Sequence, residues 1–217
     1  MNLRLSAIRR AVIVAPHPDD EVIGAAALIQ ALRRQGSAVA AIVVSDGAAS
    51  HPNSAAWPPR RLIAARERES RHALHRLSVR RDGVTFLRLP DGGLSAEEDR
   101  CRAALHRTLR RIGRFDILVG PAAADAHPDH RAVARALARF RFAGRRLTYQ
   151  VWPPQRGMPL RCRTVWLPGG AATKRSLIRS HRTQLGAISD DPHGFSIARH
   201  ELAVFAHPVE RFVEVRG

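Results

Sequence analysis

Short β-branched runs alternate with helix-period stretches from the first residues of this chain, and that alternation decides the fold class. Val12-Ile13-Val14 offers no polar position to a solvent side, as expected of a strand buried on both faces. A helix follows from about Asp20, with Val22, Ala26, Ile29 and Leu32 on one stripe and Gly36 as its stop. Val39 to Val44 gives a second strand, ending at Ser45-Asp46-Gly47. A loop from Ala48 to Pro59 then closes with Pro58-Pro59, which opens a long helix to about Leu77. Val84 to Leu89 reads as a third strand, ended by the turn Pro90-Asp91-Gly92-Gly93. A helix from about Ala96 to Ile112 leads to a fourth strand, Asp116 to Val119, and Val133, Leu137 and Phe140 mark the helix beyond it. Leu147–Val151 and Thr164–Leu167 read as strands, Lys174 to about Ile188 as a helix, and Arg211–Val215 as a late strand. Strands alternating with helices predict an α/β three-layer sandwich on a mostly parallel sheet. With 217 residues, 45% of them hydrophobic, one domain over 1–217 is expected.

Cys101 and Cys162 form no framework and no Cys-x-x-Cys pair, so both read as small hydrophobes and not as a disulfide. The apolar run Ala11–Ala15 is too short for a signal-peptide core, and no stretch reaches the length of a membrane span. A soluble, cytoplasmic protein is the expectation. The formal charge of +17 is almost entirely arginine, Lys174 being the only lysine. Such skew follows from genome composition as readily as from an anionic partner. Nucleic-acid binding is disfavoured as the main role, because no recognised motif is present and aromatics make up 5% of the chain.

The chemistry is concentrated in two clusters, each where a strand runs into a helix: His17-Pro18-Asp19-Asp20-Glu21 and His127-Pro128-Asp129-His130. Ligands of open α/β sheets bind beyond the carboxyl ends of the strands. If the first and fourth strands are neighbours, His17, Asp20 and His130 converge on one ion. Two imidazoles and a carboxylate leave coordination positions open, as a catalytic zinc requires. Asp19 is then free to take a proton from a water whose pKa zinc lowers to about 7. His127, three residues before His130, could steady an oxyanion or protonate a leaving amine, and Asp129 could orient a histidine through its ring N–H. These parts suffice to hydrolyse an amide or ester.

Other readings compete. His-Pro recurs at His51-Pro52 and His207-Pro208, and Asp19-Asp20-Glu21 alone could cap a helix. His17-x-Asp19 with a distant His130 also matches a two-histidine, one-carboxylate iron oxygenase, but leaves Asp20 unexplained. On the second long helix, Arg66 and Glu69 interrupt the stripe Leu62, Ala73, Leu77. Either Arg66 packs its stem and sends its head to water, or an Arg66–Glu69 pair sits at a pocket edge with Arg66 available to a ligand. His51 is a substrate contact or a solvated turn, with the turn favoured, and His181 is a satisfied core histidine or a site residue.

With those residues laid out, the chain resembles the PIG-L or LmbE-like family of zinc-dependent N-deacetylases over about residues 10 to 188. The resemblance rests on His17-Pro18-Asp19-Asp20-Glu21, Asp46-Gly47, the Arg66, Glu69, Ala73, Leu77 helix and His127-Pro128-Asp129-His130, with Lys174, His181 and Gln184 similar to a later Lys…His…Gln helix. It implies a Rossmann-like sheet and zinc, with iron(II) possible in its place, held by His17, Asp20 and His130. It further implies Asp19 as general base, His127 as transition-state stabiliser or acid, and Arg66 and Asp91 as contacts to a substrate sugar. The expected reaction is removal of an N-acetyl or related N-acyl group from an amino sugar or glycoside, with an amidase acting on another conjugate as the alternative. The alanine-rich loop Pro121 to Ala124 departs from this picture by offering few polar contacts.

Overall fold

In the computed structural model, which describes residues 2–153 and 162–215, the alternating runs become seven strands and six α-helices. The strands are β1 (Arg10–Ala15), β2 (Ala38–Ser45), β3 (Val84–Leu89), β4 (Ile117–Pro121), β5 (Arg145–Tyr149), β6 (Arg163–Trp166) and β7 (Val209–Val215). The helices are α1 (Asp20–Arg34), α2 (Pro59–Arg76), α3 (Glu98–Ile112), α4 (Pro128–Ala138), α5 (Gly170–Ile178) and α6 (Arg199–Phe205). The sheet order is β3-β2-β1-β4-β5-β7-β6. Strands β1 to β5 run parallel, and β7 lies antiparallel to both β5 and β6.

Successive side chains of β1 point to opposite faces, and two separate cores result. Ala11 and Ile13 join α1, α2 and α5 residues such as Leu28, Leu74 and Leu177. Val12 and Val14 join Leu105 and Leu109 of α3 and Val133 and Leu137 of α4 on the other side. This is the expected three-layer α/β sandwich. Among the described residues no helix is long and apolar enough to cross a membrane. Both cysteines are free; Cys101 is buried and Cys162 only partly so.

The C-terminal third departs from the sequence pattern. The helix expected to reach Ile188 stops at Ile178, followed by a 3-10 turn over Arg182–Gln184. Glu69 is the physical reason: its carboxylate accepts both the Thr183 N–H (3.1 Å) and the Thr183 hydroxyl (2.6 Å), which holds that backbone out of helical register. Helix α6 is an addition that the sequence pattern did not announce. Lys174 is fully buried in α5, paired with Glu210 of β7.

Candidate metal centre and its pocket

Strands β1 and β4 are neighbours in register, Ala11 to Ile13 beside Ile117 to Val119. The chain leaves β1 toward β2 and β4 toward β5, on opposite sides, so a crevice opens between their carboxyl ends. Both sequence clusters fall there. His17, Asp19 and Asp20 come from the β1–α1 turn, and His127 and His130 from the start of α4.

Three ligand atoms form a near-equilateral triangle. His17 Nδ1 is 3.2 Å from Asp20 Oδ2 and 3.2 Å from His130 Nε2, and the latter two are 3.2 Å apart. Ligands at zinc's usual bond lengths and tetrahedral angles are separated by about 3.3–3.4 Å, so the triangle fits such an ion. A histidine orients its ring for a metal by engaging a carboxylate through its other nitrogen; His17 does so here, and His130 has a carboxylate beside its other nitrogen. His17 Nε2 lies 3.2 Å from Asp91 Oδ1 and 3.4 Å from Asp129 Oδ2. His130 Nδ1 faces Asp125 Oδ2 at 3.1 Å, off the axis of a straight hydrogen bond. Asp129 is itself fixed by the N–H groups of Gly92 and Leu94. His130 and Asp129 are fully buried beneath the pocket surface.

Charge supports the same conclusion. In a chain with 19 acidic residues and a net charge of +17, six carboxylates (Asp19, Asp20, Glu21, Asp91, Asp125 and Asp129) gather around this crevice. Burial opposes ionisation of His130, but the Asp20 and Asp125 carboxylates overcome it and push the ring up to about 9. Burial likewise opposes the Asp20 carboxylate, yet the facing His130 and His17 hold it below the usual range. This concentration of carboxylates and imidazoles is a group that could hold a metal ion.

Asp19 and His127 flank the triangle and line the pocket. Asp19 is buried with φ 145° and ψ −27°, a region costly for any residue with a side chain. Its carboxylate lies 3.5 Å from Arg66 Nη2. Burial pushes that carboxyl up to about 8 against the pull of Arg66, with Asp20 and Glu21 adding to the rise. His127 caps α4, its Nδ1 accepting the Asp129 N–H at 3.2 Å. The neutral ring therefore carries its proton on Nε2 and is a donor, not a base.

Arg66 lines the pocket, as the second sequence reading expects, but with other partners than Glu69. Its head is buried at 3% exposure, so it does not reach water, and it pairs with Asp19 and Asp91 and not with Glu69. Its Nη1 and Nη2 donate to the carbonyls of Gly47 and Pro18. Gly47 makes this possible, since a Cβ there would lie 2.6 Å from Arg66 Nη1. His51 is buried under Gly194, so the solvated turn is also corrected; the ring does not line the pocket either. His181 is buried but not satisfied: neither ring nitrogen has a hydrogen-bond partner, and Glu21 Oε1 is 3.9 Å away. Asp91 and Gln184 do line the pocket.

The residue that sequence reasoning missed is Asp125. Besides facing His130, it accepts the N–H of His127 (3.0 Å), Val151 (2.8 Å) and Trp152 (3.0 Å). Its one sequence signal is its place two residues before His127. The pocket, about 320 Å³, is completed by Ile23, Ala49, Ser50, Gly92, Val151, Trp152, Phe195 and Ile197.

Residues 12–140 match the family model described as PIG-L: GlcNAc-PI de-N-acetylase. No curated protein sequence matches the chain. Among solved structures, the N,N'-diacetylchitobiose deacetylase from Pyrococcus horikoshii superposes with a TM-score of 0.74 at 20% identity, covering 97% of this chain and 85% of that one. GalB, a 4-carboxy-2-hydroxymuconate hydratase from Pseudomonas putida, gives 0.71 at 15% identity over 96% and 97%. A zinc-inhibited form of teicoplanin deacetylase gives 0.65 at 17% identity over 95% and 98%. At these identities the superpositions establish a shared fold.

Proposed function

From the premise that the chain belongs to the PIG-L family of de-N-acetylases, we propose that it hydrolyses the N-acyl group of an amino sugar or glycoside, using zinc held by His17, Asp20 and His130. The observation that carries this reading is the triangle of ligand atoms, 3.2 Å on each side, opening into a pocket that also holds a carboxylate and an imidazole donor. Bound there, zinc would polarise an amide carbonyl and make a water acidic enough to attack at neutral pH.

The chain's own groups supply the proton traffic. Asp19, adjacent to the ligand Asp20 and drawn back to its ionised form by a cation bound there, takes the proton of the attacking water. Its proximity to Arg66 holds the carboxylate in place for that transfer. His127 Nε2–H donates to the oxygen that gains charge as the carbonyl carbon becomes tetrahedral. The C–N bond then breaks as the proton that Asp19 has taken passes to the departing amine, leaving the acid and a free amino sugar. Arg66 and Asp91, both on the pocket wall, face the polar part of the substrate.

The hydratase among the structural neighbours means that the fold alone does not choose the reaction. The deciding experiment couples metal analysis with product analysis. Wild type and Asp20→Ala are compared for zinc by plasma mass spectrometry, and the loaded wild type is assayed for amine release from N-acetyl sugars. Near-stoichiometric zinc lost in the variant, with amine released, is the expected result. Absence of site-dependent metal after reconstitution overturns the proposal. Site-dependent iron with oxygen consumption would replace it with the oxygenase reading.

A further inference from the structure

The pocket lining divides by chemistry: His17, Asp19, Asp20, Arg66, Asp91 and His127 are ionisable and Ser50 and Gln184 polar, whereas Ile23, Val151, Trp152, Phe195 and Ile197 are apolar, with Trp152 and Phe195 in ring contact. We propose that this apolar wall receives an alkyl or aryl group of the substrate, so that the preferred substrates carry a hydrophobic substituent beside the amide. This rests on the N-deacylase reading and narrows its substrate class.

The wall is built rigidly onto the reaction centre. Asp125, whose carboxylate faces the ligand His130, also accepts the N–H groups of Val151 and Trp152. One side chain thus fixes the metal ligand and the first half of the wall together. The second half is pinned from the opposite edge: Phe195 N–H donates to the Ser50 carbonyl at 2.7 Å, and Ile197 N–H to the Gln184 carbonyl at 2.9 Å. Trp152 stands edge-on to Phe195, with ring centres 6.2 Å apart, and edge-on to the buried Phe205 at 5.2 Å. The aromatic pair is therefore braced against the core.

Phe195 is nonetheless 40% exposed, at the end of this braced relay and on the pocket lining. Of the five wall side chains only the Trp152 indole carries a polar group. Sugar hydroxyls pressed against Ile23, Val151, Phe195 and Ile197 would lose water without finding partners. An alkyl or aryl group would lose nothing and would remove the remaining exposed aromatic surface from water. The group could reach the wall from either end of the substrate, as a longer N-acyl chain or as the aglycone.

The test is a substrate series assayed with zinc-loaded full chain: methyl, octyl and phenyl glycosides of N-acetylglucosamine, and methyl N-hexanoylglucosaminide. The expected result is a gain in kcat/KM of tenfold or more over the methyl N-acetyl glycoside in at least one series. A gain with octyl or phenyl places the aglycone on the wall, and a gain with hexanoyl places the acyl chain there. Phe195→Ala should reduce the gain below threefold, while Phe195→Leu should retain most of it. Turnover of the methyl N-acetyl glycoside with no gain from either extension overturns the wall assignment and leaves the hydrolase standing. Zinc binding without turnover of any member overturns the hydrolase reading and this inference with it.

Discussion

Asp125 Oδ2 lies 3.1 Å from His130 Nδ1 while the same oxygen accepts the backbone N–H groups of Val151 and Trp152. Carboxylates behind a ligating histidine set its orientation and basicity, and their loss commonly costs 10- to 100-fold in metal affinity. Asp125→Ala should therefore weaken zinc binding by about 10- to 100-fold in a chelator competition. It should also shift Trp152 fluorescence, since two backbone donors lose their acceptor. Unchanged affinity would make Asp125 a loop anchor only.

Asp19→Asn removes the proposed proton acceptor while retaining a side chain that tolerates positive φ better than most. The expected outcome is a loss of about 10²- to 10⁴-fold in kcat with zinc content preserved. Activity within tenfold of wild type would assign the base to another group.

The sequence made the site legible where chemistry and local geometry coincide. His17, Asp19 and Asp20 share one turn, and His127 and His130 share another, so their types and spacing already point to a candidate metal centre. Their convergence needed one long-range fact, the adjacency of β1 and β4, which alternation of strands and helices makes reasonable but does not fix. What stayed hidden depends on contacts between distant segments. Asp125 sits in an alanine-rich loop, and its partners Val151 and Trp152 lie 26 and 27 residues away. Glu69 looked like the partner of Arg66 because helical spacing brings them to one face, but Thr183, 114 residues on, takes its carboxylate. Phe195 and Ile197 belong to an irregular segment with no periodicity to read, and only their backbone bonds to Ser50 and Gln184 place them at the pocket.

Gly47 holds φ at +71°, and a Cβ would come within 2.6 Å of Arg66 Nη1 and 2.8 Å of its Cδ. Gly47→Ala should thus displace the Arg66 guanidinium and mimic Arg66→Ala. Both are expected to raise KM several-fold with little change in zinc content, measured by steady-state kinetics and metal analysis. Because they act through one group, the double variant should be less impaired than the sum of the two. Full additivity would show that Gly47 serves the loop and not the arginine.

Burial pushes His181 down to about 3, with Arg66 lowering it further against the pull of Asp20. Its unfolded value is about 6.5, so between those limits the unfolded chain holds a proton that the native chain lacks. Stability from this residue is present above pH 6.5 and is lost as pH falls toward 3. Glu21 opposes it: burial raises that carboxyl to about 7, so its contribution is lost as pH rises instead. The informative quantity is the wild-type minus His181→Phe difference in unfolding free energy. Moving from pH 8 to pH 5 should shift it by about 2 kcal/mol against wild type. A difference independent of pH would mean that the imidazole titrates normally in the fold.

Lys174 and Glu210 join α5 to β7 where both side chains are buried, and the Glu210 carboxylate also accepts the N–H groups of Ala27 and Leu28 in the middle of α1. One acidic group thus serves three elements. Lys174→Met leaves that carboxylate without its counter-charge, and breaking a buried pair on one side typically costs about 3–5 kcal/mol. Converting the partner as well removes the stranded charge, but the choice of replacement matters. Glu210→Leu would orphan two backbone donors, whereas Glu210→Gln keeps one oxygen to accept from them. Lys174→Met with Glu210→Gln should therefore recover part of the loss in a chemical denaturation series, and Lys174→Met with Glu210→Leu should not. Equal stability of the two double variants would show that the α1 amides gain nothing from Glu210, leaving the lysine as its sole partner.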